Sequence, residues 1–226
     1  MKSFEGLSFL GMESVIQKWA ESIGVSSSEL KSSMVSNDCE HNKKIKTTFD
    51  NYYFCALSLA HPKIKRILEF GTGFGERTTL FNKLWPDAVI DTIDISEGDP
   101  SFDDYAIRAK NEERNQMFEK AISLPNVNFY NTNSFFVPTV LPKVEYDLVY
   151  VDGAHYFPFC AMDMQYGYLR CSAGGHILFH DYGGLDVTKS LDSILAIIPE
   201  SATFLPFAVR RPNKAMAYFR KESVTT

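Results

Sequence analysis

The chain has 226 residues and a mass of 25.6 kDa, with 45% hydrophobic residues, enough to bury one sizeable core but cramped for two full domains. Its net charge of -5 and pI near 5.6 give no general field for gathering phosphate backbones, which favours small-molecule chemistry over nucleic-acid binding. No apolar run approaches the roughly 18 residues of a membrane span and the N-terminus lacks a signal-peptide core, so the expectation is a cytoplasmic protein without a membrane partner.

Residues 1–45 stand apart as a helical extension or lid. An amphipathic pattern at 12–22 precedes a serine-rich polar stretch at 25–44, expected to be a mobile connection. From 46 a regular alternation begins, with a helix pattern at 46–60, a strand at 65–70, a helix at 76–84 and a strand at 89–94. A charged helix around 103–123 follows, then strands at 127–131 and 147–151, a helix around 157–170, a strand at 176–180 and a helix near 187–198. Apolar strands separated by helical lengths predict a doubly wound α/β fold, a parallel sheet covered on both faces. The end differs, because 202–209 and 215–219 flank the turn 210-RRPNK-214 and read as a hairpin, hence an antiparallel edge. The four cysteines, Cys39, Cys55, Cys160 and Cys171, include no C-x-x-C pair and read as idle thiols.

Ligands of an open parallel sheet bind beyond the carboxyl ends of its strands. After the first strand, 67-ILEFGTGFG-75 places Gly71, Gly73 and Gly75 at every second position, a turn that permits unusual φ and close approach of a ligand. The spacing is G-x-G-x-G and not the dinucleotide fingerprint G-x-G-x-x-G. The second strand ends in Asp94, a carboxylate placed to accept from both ribose hydroxyls. After the third, Asn133 and Ser134 stand where an adenine edge is read, or else form the turn.

Together, Glu69, the glycine turn, Asp94, the strand ending before Asp152, the Gly174–Gly175 turn and the terminal hairpin resemble the class I S-adenosylmethionine-dependent methyltransferases over about residues 46–220. That resemblance implies a three-layer, Rossmann-like sheet of seven strands with the last strand antiparallel. It implies Glu69 and the turn near the methionine part of S-adenosylmethionine, Asp94 on its ribose and Asn133 near its adenine. Cofactor contact is thus expected from Glu69, Gly71, Thr72, Gly73, Gly75, Asp94, Ile95, Asn133, Ser134 and Asp152.

A second constellation, 150-YVDGAHYF-157 and 177-ILFHDYG-183, brings Asp152, His155, His180 and Asp181 to neighbouring strand ends. Delivering four ionisable groups to one place is costly unless they are used. Both strings are similar to those of methyltransferases that include metal-dependent O-methyltransferases of sugars and other small-molecule hydroxyls. By that resemblance Asp152 and Asp181 are ligands for Mg2+ or another divalent ion, and His155 is the general base with Asp152 beside it. His180 stands where some relatives carry an acidic ligand, and because magnesium prefers oxygen ligands this implies a weaker site, another divalent metal or no metal at all. The expected partner is a small hydroxyl acceptor such as a sugar, a polysaccharide precursor or a secondary metabolite, with a homo-oligomer left open.

Other readings compete. A nicotinamide-dependent reductase of the common short-chain group needs a Tyr-x-x-x-Lys pair, which the sequence lacks, and a serine hydrolase needs a G-x-S-x-G elbow, also lacking. A metal-independent N-methyltransferase and a non-catalytic cofactor-binding subunit are separable from O-methylation by metal dependence and by activity.

Overall fold

A computed structural model describes residues 9–37, 49–95, 112–207 and 214–222. The alternation resolves into a seven-stranded sheet of order β3-β2-β1-β4-β5-β7-β6. Its strands are β1 (Arg66–Phe70), β2 (Val89–Asp94), β3 (Val127–Asn131), β4 (Tyr146–Val151), β5 (Cys171–Tyr182), β6 (Thr203–Pro206) and β7 (Ala215–Arg220). β1 to β5 run parallel, and β7 lies antiparallel between β5 and β6, as the terminal hairpin predicts. The order reverses at β1 and β4, so the crevice beyond their carboxyl ends is the switch point where such folds bind ligands.

Pleating divides the core in two. Ile67, Leu148, Tyr150, Leu178 and Met216 point to one face, while Leu68, Val149, Val151, Ile177, Phe179 and Ala217 point to the other. The second face is covered by α7 (Phe159–Arg170) and α8 (Leu185–Leu195). In α8 the buried Val187, Ser190, Leu191 and Ile194 recur at helical spacing. Gly167 lets α7 lie close on the sheet, since a Cβ there would sit 2.9 Å from Val149.

On the first face α3 (Asp50–Ala60) is buried along most of its length, and α4 (Glu76–Leu84) follows the glycine turn. Two more helices reach the same core: α1 (Phe9–Ser22) and α2 (Ser27–Ser36). α1 inserts Met12, Ile16, Trp19 and Ala20, one stripe of a 3.6-residue period, and the Trp19 ring meets Tyr53 and Tyr218 edge-on. The serine-rich stretch expected to be mobile is helical over 27–36. Ser26 accepts from the Glu29 N–H while the Glu29 carboxylate accepts from the Ser26 N–H, a capping box, and Leu30 and Met34 are buried. Polar serines cover the outer face of α2, which disguises an element held by only two apolar residues.

Smaller differences concern ends. β5 begins at Cys171 instead of 176, and α3 begins at Asp50, with 46–48 outside the described residues. The charged helix is described as α5 (Glu112–Ile122), and a short helix, α6 (Val137–Val140), follows β3. Cys39 and His41 also lie outside the described residues. Among those described, no helix is long and apolar enough to cross a membrane.

Because Trp19 is 7% exposed and packs against two tyrosines, Trp19→Ala should destabilise the fold by about 3–5 kcal/mol in urea titrations. A loss below about 1 kcal/mol would show that α1 contributes little to the common core.

Candidate active site

The glycine turn is shaped by crowding on one side and space on the other. Gly71 (φ +92°) lies so close to the loop after β4 that a Cβ would stand 2.2 Å from the Asp152 carbonyl oxygen. Gly73 (φ +57°) faces open space, with nothing within 4 Å of a Cβ built there. A left-handed turn with an unobstructed face is a cradle for a ligand that lies against backbone. The Gly73 N–H donates to Asp94 Oδ2 at 2.8 Å and the Ile95 N–H to Asp94 Oδ1 at 2.9 Å, orienting both oxygens of the expected ribose ligand.

Glu69 lies beneath this turn, fully buried. Thr78 and Thr92 hydroxyls donate to its Oε2 at 2.5 and 2.6 Å, and the Thr72 hydroxyl pairs with that of Thr92 at 2.7 Å. Burial pushes the Glu69 carboxyl up to about 7 against the opposing pull of the threonines and Arg77. Its Oε1 has no partner among the described residues, so a buried acceptor remains unused beside the turn. An open glycine cradle, an unused buried carboxylate oxygen and an oriented Asp94 fit the ammonium and diol groups of S-adenosylmethionine.

Asn133 and Ser134 turn out to be engaged locally. The Asn133 amide oxygen accepts from the Phe135 N–H at 3.0 Å and caps the short turn Ser134–Phe136, the turn-forming alternative of the sequence reading. Ser134 is buried and hydrogen-bonds to Asp163, which also accepts from the Ala154 N–H. Asp163, on α7, therefore ties the loop after β3 to the loop after β4. Burial pushes its carboxyl up to about 7, opposed by Ser134 and Ala154.

The second constellation converges as its strand-end positions imply. His155 Nε2 lies 3.0 Å from Asp181 Oδ2 and 3.4 Å from Asp152 Oδ1, and His180 Nδ1 lies 3.2 and 3.0 Å from the same two oxygens. Two imidazole nitrogens and two carboxylate oxygens thus alternate around a small ring. His155 is half-exposed, whereas His180 is buried beneath it. Hydrogen bonds to Asp152 and Asp181 raise His155 to about 9. Burial alone would lower His180, yet the Asp152 charge and contacts with Asp152, Asp181 and Asp50 place it well above its ordinary value. Asp181 has φ +56°, a left-handed conformation uncommon outside glycine, which aims its carboxylate into the ring.

Three residues that the sequence reading did not single out complete the cluster. Asp50, at the start of α3, lies 3.5 Å from His180 Nε2 and forms a buried ion pair with Arg77 at 2.7 Å. Arg77 also donates to Asn51 and rests over the rings of Phe54 and Tyr150. Lys214, just before β7, reaches Asp181 Oδ1 at 3.1 Å. Asp50 is a lone acid opening an apolar helix and Asp163 a lone acid inside one, which was the available sequence clue; Arg77 and Lys214 gave none.

For a divalent cation, the donor set is mixed. Ligand atoms of Asp152, His155 and Asp181 all lie within 4.8 Å of one another, with His180 Nδ1 against the same carboxylates. Two oxygens with an imidazole nitrogen fit a divalent ion, a transition ion better than magnesium.

With this geometry in hand, comparison places the chain. The family profile described as "Methyltransferase domain" matches residues 68–182, just over half of the sequence, and the chain belongs to that family. It is a class I S-adenosylmethionine-dependent methyltransferase. Among solved structures, the O-methyltransferase TomG from Streptomyces achromogenes, in complex with SAM, superposes with a TM-score of 0.56 at 13% identity, covering 93% of this chain and 98% of that one. SAH-bound methyltransferase PaMTH1 from Podospora anserina gives 0.54 at 17% identity, covering 93% and 95%. At such identities the likeness shows the fold. No curated protein matches the sequence significantly.

Two outcomes are expected of this site. In chelator-treated protein, nitrogen-detected NMR should find His155 titrating near pH 9. Because its folded value lies above the unfolded one, its contribution to stability is complete below about pH 6.5 and is lost as pH rises through about 9. A midpoint at or below pH 6.5 would contradict the ion-paired arrangement. At Asp163, the Asn variant should retain S-adenosylhomocysteine affinity within about threefold while the Ala variant loses roughly tenfold or more, since only alanine removes both hydrogen bonds. Equal losses would show that the charge, and not the brace, matters.

Proposed function

We propose that the protein transfers the methyl group of S-adenosylmethionine to a hydroxyl oxygen of a small molecule, such as a sugar, a polysaccharide precursor or a secondary metabolite. The observation that carries this reading is the placement of His155, half-exposed and oriented by two carboxylates, on the loop that touches the glycine turn through Gly71 and Asp152. In the reaction the acceptor oxygen forms the new O–CH3 bond as the S–CH3 bond breaks. The electron pair stays on sulfur, giving S-adenosylhomocysteine, and the hydroxyl proton passes to the His155 ring nitrogen turned away from the two carboxylates, in the enzyme form whose imidazole is neutral.

An alcohol attacks poorly while protonated, so the chain must remove the proton and hold the oxygen in line. Asp181 and Asp152 orient the imidazole toward the acceptor side, while buried His180, braced by Asp50, holds the two carboxylates together. Asp152 and Asp181, with one imidazole, would hold a divalent cation, which when bound supplies charge that lowers the hydroxyl pKa. Of the two imidazoles His180 is the buried one, leaving His155 to take the proton.

Calorimetry with S-adenosylmethionine and S-adenosylhomocysteine, each with a divalent ion and with chelator, should give micromolar binding in both conditions. Asp94→Ala should weaken that binding roughly tenfold or more, whereas His155→Ala should leave it within about twofold and cut methyl transfer to the best hydroxyl acceptor by about a hundredfold or more. Equal loss of affinity in both variants would overturn the division of roles. Transfer to amines alone, indifferent to chelator, would replace the reading with N-methylation.

A further inference from the structure

The sheet end remote from the glycine turn carries a second groove. Its volume is about 420 Å³, and it opens where α3 ends, β1 and β4 begin and β7 finishes. One wall is a bulge: β5 pairs Cys171 with Tyr146 and His176 with Leu148, so the residues between them loop out of register. Into this groove come His61, Lys63, His176 and Arg220, with a single carboxylate, Asp147.

Basic side chains outnumber the one carboxylate there. The Asp147 Oδ2 already accepts from the Lys65 and Arg66 N–H groups at 2.8 and 3.0 Å. Arg220 Nε donates to the Gly174 carbonyl at 2.9 Å, which fixes the guanidinium at the groove wall and leaves its other N–H groups as donors. The imidazoles of His61 and His176 lie 4.2 Å apart between centroids. His176 is 4% exposed, and its Nδ1 is 3.1 Å from the Tyr218 hydroxyl. Burial lowers His176 to about 3, with His61 and Arg220 repelling further charge, and burial followed by Arg220 lowers His61 as well. In a chain of net charge -5, a fixed guanidinium, a lysine and two crowded imidazoles around one carboxylate form an exception.

We propose that this groove binds the phosphate group of a small phosphorylated metabolite, with Arg220 and Lys63 as its charge partners and the His61–His176 pair as imidazole donors. A carboxylate would be satisfied by the guanidinium fork alone, whereas a tetrahedral oxyanion can accept from donors that reach it from three separate elements. The volume leaves room for the organic part of the ligand. Because the groove lies apart from the glycine turn, this site stands or falls independently of the methyl-transfer reaction.

The test titrates the full-length, isotope-labelled chain with inorganic phosphate, glycerol 3-phosphate and acetate, with chloride holding the ionic strength constant, and follows the His61 and His176 ring resonances. Both should shift saturably with phosphate at a dissociation constant of about 1 mM or tighter, and more tightly still with the ester. Arg220→Gln should weaken phosphate roughly tenfold or more and Lys63→Gln about fivefold, with S-adenosylhomocysteine affinity unchanged. Arg220→Gln also breaks the Gly174 contact, so Lys63→Gln, at an exposed position, keeps the result decisive if the first variant misfolds. Acetate binding as tightly as phosphate, unsaturable shifts, or wild-type affinity in the lysine variant would overturn the proposal.

Discussion

Everything at the switch point depends on how closely the backbones after β1 and β4 approach. The Asp152 N–H donates to the Phe70 carbonyl at 2.8 Å and the Gly71 N–H to the Ile93 carbonyl at 2.8 Å, so three strand ends are tied within one residue of their termini. Only glycine at 71 permits this, because any Cβ would collide with the Asp152 carbonyl. The contact sets the carboxylate of Asp94, the glycine cradle and the Asp152–His155 loop on a common rim.

The chemical cluster beneath that rim is expensive to assemble. Asp50, Arg77, Asp152, His180 and Asp181 are largely removed from solvent, and each ion would be strongly disfavoured there alone. They are tolerable because charges alternate along the chain of contacts: Arg77, Asp50, His180, the two carboxylates, then His155 and Lys214. Removing one link leaves its neighbours buried and unpaired, which costs more than the link itself contributes. The network also joins α3 and α4, the helices of the first face, to the strand ends that carry the chemistry. It gives the site a stiffness that loops alone do not supply.

Much of this was legible before the tertiary structure. The strand-end motifs are local, and the apolar runs of β1, β2 and β4 announce strands covered on both faces. Less legible was α2, whose Ser26–Glu29 capping box stands in the sequence but within a serine run that resembles a connector. β5 begins five residues early because a bulge at Ser172–Gly175 keeps a turn-like string inside the strand. The side chains of Asn133 and Ser134 cap a turn and brace Asp163, a choice made by neighbours that spacing does not reveal.

The sequence by itself determined the alternation of strands and helices with its antiparallel end, the glycine turn, the place of Asp94 at a strand end and the four residues of the second constellation. These follow from short-range patterns: strand ends repeat one kind of polar residue at one kind of position. Only the tertiary structure decided that Asp50, Arg77 and Lys214 belong to the same cluster, that His180 lies beneath His155, and that α1 and α2 share the main core. The physical reason is that ion pairing and burial depend on distance in space, and helices packed on a sheet bring together residues whose separation along the chain carries no mark of the contact.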